Sequence, residues 1–315
     1  MRTCQARQQI VRPSAILLIL LLALAGLGTT TAAAHSGATQ SANLPRPNLV
    51  VLGDSFAAGV GIEPYIEGTQ TTCKRSEAAY GPQLNRWGLV DFEAQSFVAC
   101  SGATTEEVWG PGLAGDENQP QPPQIDSLTR DTDLVTIGAL GNNFHFGDIS
   151  ALCLLAECSR DKDLVPPDLG LPPSGITVGQ VLDSIPLLAP GQLDTLYQAI
   201  KGKLRPGAKV LVVEYAAPFP GVDSNVGPLC PYMTADELAV AQQFTDALNT
   251  QLRKAAARHG FRYVSTGALF RGHDVCGFLS AFFQPGTVAD LDGTLHPNQL
   301  GQTLYAVAVA KRLYF

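Results

Sequence analysis

The sequence predicts an α/β fold in which a five-stranded parallel sheet of flavodoxin-like order is covered by helices on both faces, a three-layer sandwich. Two patterns carry that prediction. Short apolar segments with strand character alternate with helical ones along most of the chain. In addition, Leu134 to Ile137 and Val210 to Glu214 are nearly continuous apolar runs, as strands buried on both faces should be.

Strands are expected at Leu49 to Gly53, Phe92 to Val98, Leu134 to Ile137, Val210 to Glu214 and Phe261 to Val264. Helices are expected at Glu77 to Trp87, Leu193 to Leu204, Thr234 to His259 and Pro297 to Leu313. The third opens with Thr234 and Glu237 in capping-box spacing, and Leu238, Phe244, Leu248 and Leu252 recur at helical intervals, which marks them as core. Residues 110–123 and 161–190 are rich in Pro and Gly with little periodicity and read as long loops bordering a site. Gly110, Gly112 and Gly115 spell GxGxxG, but Pro111 interrupts it and no strand leads into it, so a dinucleotide site is not indicated. No GxSxG elbow is present, which argues against the α/β-hydrolase fold. The chain contains no internal repeat.

Residues 1–34 have the layout of a secretory signal peptide: Arg2, Arg7 and Arg12 precede an apolar run from Ala15 to Gly26, and Ala32 to Ala34 supply small residues for cleavage. Residues 35–47 form a polar leader, and 48–315 form one domain. The competing reading of the first segment is an uncleaved anchor, for which the run is short. Loss of the three arginines takes the formal charge from −7 to −10, which disfavours nucleic acid and anionic membrane surfaces as partners. No later segment is apolar enough to span a bilayer, so a secreted monomer without stable membrane insertion is expected.

Cys4 lies in the signal, leaving Cys73, Cys100, Cys153, Cys158, Cys230 and Cys276, an even set suited to an oxidising compartment. Six cysteines allow fifteen pairings, and the sequence alone does not choose among them. A zinc site at Cys153 and Cys158 with His145 would lack a second pair of ligands, so no metal is expected.

The chemistry-bearing residues fall at strand ends. Gly53, Asp54, Ser55 and Phe56 follow the first strand directly, so Ser55 is held on rigid backbone where a loop admits substrate. Ser101, Gly102, Ala103 and Thr104 follow the second strand; Gly141, Asn142 and Asn143 follow the third. If these strands are parallel neighbours, Ser55, the Gly102 amide and the Asn142 side chain share one crevice. Near the end of the chain, Leu295, His296, Pro297 and Asn298 offer a base: proline restricts the histidine backbone and suits the first turn of the last helix.

These ordered blocks, GDSF, SGAT, GNN and LHPN, together with CKRS and GHDVC, resemble the SGNH or GDSL hydrolases, and especially the actinobacterial secreted lipases and esterases. The resemblance runs from about Asn48 to the C-terminus. It implies a nucleophile at Ser55, a general base at His296 and an oxyanion hole built from the Ser55 amide, Gly102 and Asn142, with no metal or cofactor. It further implies the pairs Cys73–Cys100, Cys153–Cys158 and Cys230–Cys276. The chain departs from the pattern twice. Asn143 stands where the family usually has aspartate, and the position three residues before His296 is Gly293. Either Asp292 or the Gly293 carbonyl is then left to orient the histidine ring. The expected substrates are lipid or other small carboxylic esters; removal of O-acetyl groups from carbohydrate and a degenerate extracellular binding protein are the alternatives.

Overall fold

A computed structural model describes residues 46–93, 96–112, 120–165, 172–221, 230, 233–277, 281–285 and 293–314. The signal and most of the leader expected from the sequence lie outside these residues, as does Asp292. Four strands form the sheet: β1 (Leu49–Gly53), β2 (Leu134–Gly138), β3 (Lys209–Val213) and β4 (Arg262–Val264), all parallel and in the order β1-β2-β3-β4. Every residue of β1 and β2 is buried, because helices cover both faces of the sheet. Register sets Gly53 opposite Gly138 and Val213 opposite Val264, so the carboxyl ends of the strands open on one edge.

The expected fifth strand, Phe92 to Val98, is not a strand among the described residues. The chain there runs beside β1 with one parallel bridge, Phe97 to Val51. The N–H groups of Val98 and Ala99 then both reach the Val51 carbonyl, each at 3.1 Å, and Cys100 N–H reaches the Gly53 carbonyl at 3.0 Å. Two residues facing one is the geometry of a bulge, and it breaks the regular ladder. The position beside β1 is nonetheless filled, which keeps the flavodoxin-like order.

Helices α1 (Ser55–Ala58), α2 (Tyr80–Arg86) and α3 (Thr105–Trp109) follow in the first half of the chain. Then come α4 (Phe146–Leu155), α5 (Val178–Lys203), α6 (Ala235–His259), α7 (Gly267–Phe270) and α8 (Gln299–Tyr314). Helix α2 packs with α8, and α5 with α6. The Thr234 box caps α6 as its spacing predicts, and Gly260 ends that helix in the left-handed region.

Helix α5 starts fifteen residues before the expected Leu193, inside the segment read as a loop. Thr177 and Gln180 form a reciprocal capping box, and Pro186 and Pro190 lie within the helix. Each proline removes one helical N–H and crowds a carbonyl four residues back. Burial of Val181, Leu182, Ile185, Ala189 and Leu193 along one face outweighs that loss, since each large apolar side chain contributes about 1.5–3 kcal/mol. Just before α5, the half-buried Asp163 carboxylate accepts from the backbone of Val165, Ser174 and Gly175 at 2.8–2.9 Å. Those backbone bonds, led by Val165, hold its pKa down to about 2.

Disulfides join Cys73 to Cys100, Cys153 to Cys158 and Cys230 to Cys276, with sequence separations of 27, 5 and 46. On a chain-entropy account the first and third each stabilise by about 3.5–4 kcal/mol. No described helix is long and apolar enough to cross a membrane.

Buried Gln302 on α8 ties two helices of the site side together. Its Oε1 accepts from Tyr80 N at 3.0 Å, and its Nε2 donates to Phe56 O at 2.9 Å. Gln302→Leu strands both backbone groups in the interior, each worth about 1–3 kcal/mol. Chemical denaturation of that variant is expected to show a loss of about 2–5 kcal/mol with all three disulfides intact; a loss within about 0.5 kcal/mol of zero would contradict this role.

Candidate active site

Ser55 lies at the start of α1, immediately beyond β1, and two features place it there. Gly53 has φ +140°, and a Cβ at that position would lie 2.5 Å from the Gly138 carbonyl oxygen, so only glycine permits the approach of β1 to β2. Asp54 then caps α1: its Oδ1 accepts from Phe56 N at 3.0 Å, while its own N–H reaches the Gly138 carbonyl at 3.0 Å. Gln124 grips the same turn, accepting from Gly53 N at 2.8 Å and donating to Gly53 O at 2.9 Å.

His296 Nε2 lies 2.6 Å from Ser55 Oγ, across 241 residues of sequence. The other ring nitrogen, Nδ1, is 3.2 Å from the Thr294 carbonyl. A carbonyl only accepts, so Nδ1 carries the proton and Nε2 is left as an acceptor for the Ser55 hydroxyl. The carbonyl beside the ring is thus that of Thr294, one residue on from the Gly293 carbonyl suggested by the sequence; Gly293 O accepts from the His296 backbone N–H at 3.2 Å.

The base is rigidly seated. Leu295, buried, takes a left-handed φ of +63°, an uncommon state for a non-glycine residue. Gln284 N–H donates to His296 O at 2.7 Å, and Phe283 bridges Pro297. The ring of Phe56 lies 5.0 Å from that of His296, so the imidazole rests against an apolar wall.

The glycine and asparagine blocks converge on the same edge. Gly102 takes φ +78° in the turn after the bulged segment. The N–H groups of Ser55 and Gly102 have no acceptor among the described residues. Asn142, in a short 3₁₀ turn over Gly141–Phe144, donates one Nδ2 hydrogen to Ala103 O at 3.0 Å, which ties it to the Gly102 turn and leaves its second hydrogen for another acceptor.

Asn143 has a different job. Its Oδ1 accepts from Thr105 N at 2.9 Å, at the first turn of α3, and its Nδ2 donates to Thr105 Oγ1 at 2.9 Å and to Glu106 Oε2 at 2.6 Å. An aspartate here would set two carboxylates against each other, which accounts for asparagine beside Glu106.

Tyr215, just beyond β3, was not singled out by sequence reasoning. Its hydroxyl meets both Asp54 and Gly141 N. The available signal was its place at a strand end on the same edge as the other blocks, but a tyrosine there reads as core. His145 is exposed and pairs with Asp148 at 3.0 Å; His259 pairs with Asp194 at 2.9 Å; and the His273 ring stacks on Phe282 at 3.9 Å. No group of three or more His, Cys, Asp and Glu side chains among the described residues is arranged to hold a metal.

Known proteins are similar to this chain in sequence and fold. Residues 51–304 fit the family model described as the GDSL-like lipase/acylhydrolase family. Lipase 1 of Streptomyces coelicolor is 31% identical over 283 residues, covering 90% of this chain and 91% of its own. The lipase of Streptomyces rimosus is 29% identical, covering 87% and 90%. The crystal structure of the extracellular lipase from Streptomyces rimosus aligns with TM-score 0.66 and 25% identity, covering 84% of this chain and 99% of the other. Phospholipase A1 from Streptomyces albidoflavus aligns with TM-score 0.66 and 26% identity, covering 85% and 99%. With the family model spanning most of its length, this chain belongs to the GDSL-like lipase/acylhydrolase family and is a carboxylic ester hydrolase.

Proposed function

We propose that the chain hydrolyses lipid or other carboxylic esters through an acyl-enzyme on Ser55, with His296 as general base and a main-chain carbonyl orienting it. The observation that carries this reading is the 2.6 Å approach of His296 Nε2 to Ser55 Oγ. As Oγ attacks the ester carbonyl carbon, Nε2 takes the hydroxyl proton. The tetrahedral oxyanion accepts from Ser55 N–H, Gly102 N–H and the second Asn142 Nδ2 hydrogen. Collapse breaks the bond to the alcohol, which leaves with the proton held on Nε2; water then repeats the sequence on the acyl-serine and releases the acid. The developing positive charge on the imidazole is stabilised by the Thr294 carbonyl dipole at Nδ1.

The lipase and phospholipase names of the relatives favour lipid esters as the substrate class. Three disulfides favour an oxidising compartment, and with the signal layout of residues 1–34, the leader at 35–47 and the domain at 48–315 they support secretion; the net negative charge disfavours nucleic-acid partners, and the chain is read as a monomer without membrane insertion.

Ser55→Ala and His296→Ala are each expected to lower ester turnover by several orders of magnitude while the chain stays folded, and to abolish labelling by a fluorophosphonate probe in the serine variant. Turnover within about tenfold of wild type in either would remove the mechanism.

Asn142→Ala is expected to lower kcat roughly 10²–10³-fold with little change in KM, because its amide meets charge that develops only in the transition state. Asn143→Ala acts on α3 instead, lowering stability by about 0.5–2 kcal/mol with a much smaller effect on kcat. Steady-state kinetics paired with thermal melts separate the two, and the reverse assignment would shift the oxyanion role to Asn143.

With the Thr294 carbonyl at Nδ1, Asp292→Asn is expected to keep at least about a tenth of wild-type kcat, against the roughly 10⁴-fold loss seen when a triad acid is neutralised. A loss beyond about a thousandfold in the folded variant would make Asp292 the triad acid.

A further inference from the structure

Behind Ser55, one hydroxyl links the ends of three strands. Asp54 is wholly buried, and its Oδ2 accepts from the Tyr215 hydroxyl at 2.5 Å. Tyr215, buried just beyond β3, accepts in turn from Gly141 N at 2.9 Å. Gly141 immediately precedes Asn142, and Asp54 immediately precedes Ser55. Hydrogen bonds therefore run in one direction, from the Gly141 N–H through the Tyr215 O–H to the Asp54 carboxylate, and they join the turn that presents the serine to the loop that presents the amide.

Tyr215 has little freedom to move. Asn249 on α6 clamps its backbone on both sides, accepting from Tyr215 N at 2.9 Å and donating to Tyr215 O at 2.8 Å. Its ring lies edge-on to Phe56 at 5.2 Å and stacked on Phe146 at 5.7 Å. A phenylalanine would make the same ring contacts, so packing does not call for the hydroxyl; the bridge does.

We propose that Tyr215 is a positioning residue whose hydroxyl locks the Ser55 turn and the Gly141–Asn142 loop in one register, so that nucleophile and oxyanion donor meet the same substrate carbonyl. This rests on the roles given above to Ser55 and Asn142. A reacting geometry tolerates little error, and a misplacement of about 1 Å can cost 10²-fold in rate.

The lock also carries a pH signature. Burial pushes the Asp54 carboxyl up to about 7, against the lowering effect of the Tyr215 and Phe56 hydrogen bonds. The ionisable groups around it are Tyr215 beyond β3, Tyr80 on α2 and Tyr305 on α8, all three pushed upward by burial and so neutral near pH 7, with His296 across Ser55. When Asp54 is protonated, the carboxyl becomes a weaker, uncharged acceptor for the tyrosine hydrogen and gains a donor hydrogen of its own, which loosens the link to Tyr215. The link is thus strongest with Asp54 ionised and weakens as pH falls through about 7. Stability moves the other way. A carboxyl raised above its unfolded value of 3.8 binds its proton more tightly in the fold, so its contribution declines as pH rises from about 4 to about 7.

The test compares wild type with Tyr215→Phe on a short-chain p-nitrophenyl ester across pH 5 to 9, with melts to establish folding. Tyr215→Phe is expected to lower kcat roughly 10- to 100-fold with KM within about threefold, and to move the acid limb of kcat to higher pH because Asp54 loses the donor that holds its carboxylate. A folded variant with kcat within about twofold of wild type, or with an unmoved acid limb, overturns the proposal. Should Tyr215→Phe not fold, Asp54→Asn decides: the acid limb is expected to become shallower, with one titrating group removed, and a limb of unchanged slope and midpoint overturns the lock. Wild-type protein that neither turns over ester nor accepts a fluorophosphonate label would refute the reading of the site itself, and the lock falls with it. Normal wild-type activity with a silent Tyr215→Phe removes the lock alone.

Discussion

The close approach of β1 to β2 at Gly53 and Gly138 is the constraint on which the site depends. The two glycines face each other in register, and any side chain on Gly53 would overlap the Gly138 carbonyl. Because no Cβ intervenes, the chain leaving β1 bends directly across the end of β2, and Asp54 N–H closes on the Gly138 carbonyl at 3.0 Å. Ser55 is thereby presented, half-buried, at the edge where the Gly102 and Asn142 segments also emerge. A wider separation would leave the serine beside solvent and out of reach of the donors two strand ends supply.

At that edge the regular ladder has ended, and backbone groups that strands would satisfy need other partners. Side-chain amides supply them. Gln124 holds both backbone groups of Gly53, Gln302 links Tyr80 to Phe56, and Asn249 holds both sides of Tyr215. Each amide offers a donor and an acceptor at fixed separation, so it fastens two backbone points at once. A hydrophobic residue of similar size could fill the space without specifying the geometry. The result is a site held by polar struts on rigid elements, with Leu295 in an unfavourable backbone state beside His296.

Coupling between the site and its support is strongest at Asp54. The same carboxylate caps α1 and accepts from Tyr215, and its burial works against its charge. Burial favours its neutral form while the hydrogen bonds from Tyr215 and Phe56 favour the carboxylate, so the two pull on one group in opposite directions.

The amino-acid sequence by itself determined the architecture and where the candidate site residues fall along it. A short apolar run such as Leu134 to Ile137 suits a buried strand, the Thr234 capping box marks a helix start, and serine, glycine, asparagine and histidine fall at strand ends or before a pinned proline. These are local signals, governed by periodicity and by the backbone preferences of neighbouring residues. Where tertiary contacts override local preference, the sequence was silent or misleading. Two prolines disguised the first half of α5, which only packing of its buried face holds in helical form, and the double approach of Val98 and Ala99 to one carbonyl replaced a strand by a bulged edge. The approach of the Thr294 carbonyl to the histidine ring, the capping role of Asn143 and the link from Tyr215 to Asp54 were likewise decided by the fold. Each joins residues that are either far apart in sequence or separated by a turn whose direction no residue pattern encodes, and hydrogen bonds of that kind exist only once the sheet edge has brought their ends together.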